Sequence, residues 1–217
     1  MPRSLNILYE DNHLIAVVKP AGVLVQGDDS GDASLMDHVK EYLKEKYQKE
    51  GNVFLGLVHR LDRNVSGIVL YAKTSKGASR LSEQFRQHEV SKIYTALVIG
   101  KLEGKKKLIH YIQKDDQKRM AFVSDSPMPG YDYAELEYEV LKSNEQHSLL
   151  KINLKTGRFH QIRAQLAHVG YPIVGDKKYG GPENNFLGLC ATELQFITAT
   201  GDEKISYTME FYPEEGK

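Results

Sequence analysis

The order of elements along the chain predicts an α+β fold with a mostly antiparallel sheet. Three observations carry that prediction. Strand-type runs outnumber helical ones, neighbouring strands connect through short turns, and the helical patterns are few and well separated. A length of 217 residues suffices for one domain with a substantial core. The expectation is therefore a single domain over residues 1–217.

Ile7-Leu8-Tyr9 and Leu14-Ala16-Val18 read as a hairpin turning at Glu10–His13. Pro20-Ala21-Gly22 breaks the second strand, and Gly27–Gly31 reads as a loop. Ser34 caps a predicted helix to about Lys49, with Leu35, Val39, Tyr42, Leu43 and Tyr47 inward and Lys44, Glu45, Lys46 and Glu50 as its wet face. The apolar run Ile68–Ala72 reads as a buried strand. A second helix follows from Ser75 or Lys76 to about His88, with Ala78, Leu81 and Phe85 inward. Strands are expected at Ile93–Ile99, in lysine-rich hairpins to about Val123, and at Ala134–Val140 and Leu149–Leu154. A helix from about His160 places Ile162, Leu166 and Val169 on one apolar face and stops at Gly170 and Pro172. Strands near Gly188–Phe196 and Ile205–Phe211 close the chain.

Charge excludes a uniformly basic nucleic-acid binder: 29 Lys and Arg balance 29 Asp and Glu. A local patch remains, because Lys101–Arg119 holds seven basic residues against three acidic ones. Acidic residues gather at Glu210–Glu215. The single cysteine, Cys190, rules out an intramolecular disulfide and a multi-cysteine zinc site. The amino terminus has no signal-like apolar block, and a cytoplasmic setting is expected.

Two stretches carry chemistry. In His59-Arg-Leu-Asp-Arg-Asn-Val-Ser-Gly-Ile-Val-Leu-Tyr71, Asp62 lies between Arg60 and Arg63 at the mouth of the buried strand. Flanking cations favour the charged form of a carboxylate, and a strand end fixes its position. Alone, such a pattern is far more often a structural ion pair at a strand start. The second stretch runs Gly157-Arg-Phe-His-Gln-Ile-Arg-Ala-Gln-Leu-Ala-His-Val-Gly-Tyr-Pro-Ile-Val-Gly-Asp176. There Thr156-Gly157-Arg158 reads as a turn offering backbone N–H groups to an anion, and Arg158 and Arg163 as planar forks for phosphate or carboxylate.

Together the two stretches resemble the RluA family of pseudouridine synthases. The first is similar to the family's H-R-L-D-x-x-T-S-G signature, and the second to its G-R-x-H-Q-I-R signature. Ile7–Gly22, Lys92–Gly100 and Leu189–Phe196 resemble three further family segments, so the likeness spans roughly residues 5 to 212. Val65, Gln165 and Cys190 depart from the usual Thr, His and His.

The resemblance implies the pseudouridine synthase fold, a long mixed sheet in two halves with a central cleft. It implies isomerisation of specific uridines in rRNA or tRNA, with neither metal nor cofactor. Asp62 matches the catalytic aspartate, acting on ribose C1′ as a nucleophile or removing a ribose proton as a base. Tyr94 matches the tyrosine that stacks on uracil, and Arg163 the arginine that pairs with the carboxylate. Arg60 matches the arginine that enters the space left by a flipped base, a role suited to a stacking guanidinium. His59, Arg158, His160 and Gln161 complete the expected substrate-binding set, with His59 and His160 also suited to holding loops.

No metal is expected from His59, His160 and His168, since the last two stand eight residues apart without a cysteine cluster or an H-E-x-x-H pattern. No glycine-rich phosphate loop supports a nucleotide cofactor. A non-catalytic protein gripping structured RNA on the same fold is the competing reading. A retaining glycosidase would need a second carboxylate about 5 Å from the first. Expected partners are an RNA stem-loop and no membrane, with a monomeric chain.

Overall fold

A computed structural model describes residues 5–201 and 203–211. It is α+β, with eleven strands and three α-helices among those residues. The chain divides into two compact units, one running to Val90 and including Glu193–Met209, the other formed by Ser91–Thr192.

In the first unit, β1 (Ile7–Glu10) and β2 (Leu14–Lys19) pair antiparallel. Asp11 Oδ1 tightens their turn by accepting the His13 and Leu14 N–H groups at 2.7 and 2.6 Å. β4 (Ser66–Ala72) runs antiparallel to β2, with Lys19 opposite Gly67, and the two-residue β3 (Gly56–Leu57) pairs with Tyr71 and Ala72. β2 and β4 are buried on both faces, which is why they read as continuous apolar runs rather than alternating ones. Leu14, Ala16, Ile68, Leu70, Leu81, Leu194 and Phe196 share one core cluster.

Two helices belong to this unit. α1 (Leu35–Lys46) begins with a reciprocal capping box between Ser34 and Asp37, and stops before the expected Lys49. Tyr47 is exposed rather than inward. Its hydroxyl joins Tyr42, Lys46 and Lys73 in donating to the Glu10 carboxylate at 2.6–2.8 Å. Burial alone would raise the Glu10 pKa, but those four donors outweigh it and hold the group at about 2. Lys46, expected on the wet face, thus ties α1 to β1. α2 (Ser75–Arg86) is capped by Thr74, whose hydroxyl accepts from the Gly77 N–H at 3.1 Å. A Cβ at Gly77 would meet the His13 carbonyl at 2.6 Å, so the helix can approach the hairpin only through glycine.

The second unit is built on β5 (Ser91–Ile99), β6 (Lys105–Asp115), β7 (Met120–Ser124), β8 (Asp132–Ser143) and β9 (His147–Leu154). Their order is β5-β9-β8-β6-β7, with every neighbouring pair antiparallel. Burial alternates along β5 and β9, as one-sided packing requires. α3 (Gln161–His168) packs on β6 and β7. The expectation of a simple amphipathic helix fails here. Gln161 through Leu166 are all buried, including three polar side chains.

β10 (Leu189–Ile197) contributes to both units, and β11 (Lys204–Thr208) pairs with its later half. The expected final strand therefore ends at Thr208, and most of the acidic tail lies outside the described residues. No described helix is long and apolar enough to cross a membrane.

Candidate active-site residues

Asp62 opens a tight turn. Its carbonyl accepts the Val65 N–H at 3.1 Å, one residue before β4 begins, and the side chain is half-buried. In place of the family hydroxyl, Val65 puts a buried apolar side chain at the close of this turn. Arg63 turns towards the 22–32 loop, with Nε donating to the Gly22 carbonyl at 3.0 Å and Nη2 to Asp32 Oδ2 at 2.6 Å. Arg60 is exposed.

Lys19, which the motif reading left without a role, underlies this turn. It is fully buried at the end of β2, and its Nζ donates to the carbonyls of Pro20, Val23 and Arg63 at 3.0, 2.7 and 2.8 Å. Burial pushes the ammonium down to about 8; the Asp62 charge opposes that shift and Arg63 adds to it. The signal was present in the sequence as a lysine closing an otherwise apolar strand.

His59 serves the backbone. β3 pairs only with Tyr71 and Ala72, and the next outward N–H, that of Leu70, donates to His59 Nε2 at 2.9 Å. The imidazole stands in for a missing strand partner. Its ring stacks on Phe85 with centroids 5.2 Å apart.

The second unit holds the remaining expected residues. Tyr94 lies in β5 opposite Ile152 and is nearly buried. Lys92 is on the same face of the strand, where burial lowers its pKa. A Cβ at Gly157 would lie 3.6 Å from its Nζ, so the lysine reaches the turn before α3.

That turn is knotted by Gln161. Its Oε1 accepts from the Thr156 hydroxyl at 2.8 Å and the Arg158 N–H at 3.0 Å, and its Nε2 donates to the Glu135 carbonyl at 3.1 Å. The backbone donor expected to await an anion at Arg158 is therefore already used. The Arg158 side chain donates from Nε to the Tyr133 carbonyl at 3.0 Å and lies 3.7 Å from Asp132. Gln161, expected at the substrate, holds the chain entering α3.

His160 takes a left-handed conformation, φ 51°, as the residue preceding the helix. Its Nδ1 is 2.9 Å from the Tyr179 hydroxyl, which also accepts the Ala121 N–H at 2.7 Å. Tyr179 belongs to a 3-10 turn, Lys177–Tyr179. One turn into α3, Arg163 is gripped in two places by Asp176, Nε to Oδ2 at 2.7 Å and Nη2 to Oδ1 at 2.8 Å. Both side chains are almost wholly buried. The guanidinium also lies over the Tyr179 ring, 5.2 Å from its centroid. Gly175 has φ 79°, and a Cβ there would overlap the Phe186 carbonyl at 1.8 Å. Glycine is thus needed for Asp176 to reach inward.

The basic stretch at Lys101–Arg119 is largely neutralised. Lys101 pairs with Glu145, Lys105 with Glu139, Lys107 with Glu135 and Lys114 with Asp116. Three of these acids lie outside the stretch, so the local excess counted along the chain is not a patch of that strength in space. Cys190 is buried, and Gln165 is fully buried in α3.

Comparison with known proteins gives a consistent result. The model of a family described as RNA pseudouridylate synthase matches residues 13–168. An uncharacterised RNA pseudouridine synthase of Bacillus subtilis is 34% identical, covering 93% of this chain and 67% of that protein. The ribosomal large subunit pseudouridine synthase D of Pseudomonas aeruginosa is 34% identical over 82% of this chain and 54% of its own length. A tRNA pseudouridine synthase C of Haemophilus ducreyi is also 34% identical, over 83% and 76%. The chain thus spans about half the length of several curated relatives it matches. Two human structures, of RNA pseudouridylate synthase domain containing 4 and 1, superpose with TM-scores of 0.80 and 0.78. They share 23% and 22% identity, cover 96% and 97% of this chain and 89% and 86% of their own, and show the fold.

Proposed function

Because the chain belongs to the RNA pseudouridylate synthase family, we propose that it isomerises uridine in RNA to pseudouridine, with Asp62 as the catalytic carboxylate. The observation that carries this reading is the setting of Asp62: a turn closed by Val65 immediately before a buried strand and fastened beneath by Lys19. A carboxylate that must meet one ribose carbon or proton gains from a backbone that cannot drift.

The reaction breaks the bond from N1 of uracil to ribose C1′ and forms one from C5 to the same carbon. The hydrogen on C5 then leaves as a proton, and N1, released from the ribose, takes one up. Nothing is oxidised or reduced, so these steps balance without a redox cofactor. Asp62 acts at the ribose, either attacking C1′ or removing a proton from the sugar. Tyr94 is the aromatic surface for the uracil ring, and Arg163 supplies positive charge for the reaction's carboxylate. Arg60 is the guanidinium for the space left by a flipped nucleotide. Arg158 is a phosphate contact, while His59, His160 and Gln161 hold the segments that present these groups. Relatives named for ribosomal RNA and for tRNA make both RNA classes substrates to assay.

Tritium release from RNA labelled at uracil C5, assayed on tRNA and rRNA transcripts, tests the assignment. Wild type is expected to release tritium, and Asp62→Asn to do so at least about a thousandfold more slowly while still binding RNA. Release undiminished in Asp62→Asn would remove the aspartate from the chemistry. No release from either RNA class by wild type, with binding intact, would replace the enzyme with an RNA-binding protein.

A further inference from the structure

The second unit contains a cluster that the isomerase chemistry does not use. His110 on β6, Asp125 just beyond β7 and His168 at the end of α3 converge, with their ligand atoms all within 4.8 Å of one another. His168 Nε2 is 2.9 Å from Asp125 Oδ1, and His110 Nε2 is 3.6 Å from the same oxygen. The two imidazoles meet edge to face with centroids 5.1 Å apart.

We propose that His110, Asp125 and His168 form a zinc site that clamps the end of α3 to β6 and β7. Two imidazole nitrogens and one carboxylate oxygen are a donor set that Zn²⁺ takes readily, with a fourth position open to water. Ligand atoms around tetrahedral zinc stand about 3.3 Å apart when each bond is about 2.0–2.1 Å. The 2.9 and 3.6 Å separations bracket that spacing. Asp125 and His168 are exposed, so the remaining adjustment falls on side chains with room to move.

A second observation lies behind His110. Gln165 is fully buried, and its Nε2 is 2.9 Å from His110 Nδ1 and 3.3 Å from the Ala134 carbonyl. Its Oε1 is buried with no hydrogen-bond partner. Zinc on His110 Nε2 would require the ring proton on Nδ1, and a metal-bound imidazole normally gives that proton to a fixed acceptor. Turning the Gln165 amide over presents Oε1 to that N–H, while Nε2 takes the buried place where Oε1 has no partner and the bond to Ala134 is lost. The metal-free and metal-bound states thus differ by one amide rotation in a buried position. The sequence reading weighed His168 only with His59 and His160 and expected no metal, because His110 lies on another element 58 residues away.

The test is calorimetric titration of chelator-treated full-length protein with zinc chloride, repeated with Asp125→Asn and His168→Asn. These exposed residues can change without opening the core. The expected result is saturation at one zinc per chain, at least about tenfold weaker in each variant. Cobalt chloride should give visible ligand-field absorption in wild type that both variants lose. Absence of saturable zinc binding, or binding unchanged in both variants, overturns the proposal. So does a cobalt spectrum of the simple aquated ion. None of these readouts depends on isomerase activity.

Discussion

Asp62 and Arg163 are held by opposite means. The Asp62 turn is fixed through the main chain: the Val65 N–H closes it, and Lys19 gathers three carbonyls below it. Arg163 is fixed through side chains, by a two-pronged bond to Asp176 and the Tyr179 ring beneath. A backbone-held group is expected to stay put when neighbouring side chains change. A group held by a buried ion pair depends on the side chain that supplies the opposite charge. Removing the charge of that buried carboxylate costs far more than the intact pair contributes.

The difference should appear first in Asp176→Asn. This variant keeps the shape and removes the charge, and we expect a loss of about 3 kcal/mol in urea unfolding, together with lost activity. A loss below about 1 kcal/mol would mean that Arg163 is secured mainly by other groups.

Lys19 gives a pH-dependent counterpart. With a pKa near 8, the folded protein loses this proton above that pH, leaving two N–H donors for three carbonyls and removing the positive charge facing Asp62. Activity should fall above about pH 8, and Lys19→Met should lower it at neutral pH by roughly tenfold, the scale of one lost charge-assisted hydrogen bond. The sign of the linkage separates this from unfolding. Because the folded pKa lies below the unfolded value, this group favours the folded state increasingly from about pH 8 up to the ordinary lysine range. Activity and this stability contribution should therefore move in opposite directions. A wild-type rate that stays flat to pH 10 would break the link between Lys19 and the turn.

The smallest effect is expected at Tyr179→Phe. Its hydroxyl serves both the Ala121 N–H and His160, and its loss should cost about 1–2 kcal/mol by thermal unfolding. The Arg163 contact with the ring should survive. An effect matching that of Asp176→Asn would place the main support of this region in the hydroxyl rather than the ion pair.

How much was legible follows from the same contrast. The α+β class, the helix starting after Ser34 and the strand after Asp62 were readable, because capping and unbroken apolar runs are local signals. α3 was placed but misjudged. Periodicity finds one apolar face, whereas this helix buries Gln161, Arg163 and Gln165 as well, each with a partner brought by another segment. The lysines of β6 looked like a patch along the chain until β8 set glutamates opposite them.

By itself, the sequence determined the fold class, the family signatures and the residue types offered for chemistry, since propensity, capping and motif spacing act over short stretches of chain. Only the tertiary structure decided which polar groups are occupied. It gave Arg163 to Asp176, put Lys19 beneath the Asp62 turn, and brought His110, Asp125 and His168 together. The physical reason is that a buried polar group must find a partner, and the partner it finds depends on which distant segment packs against it.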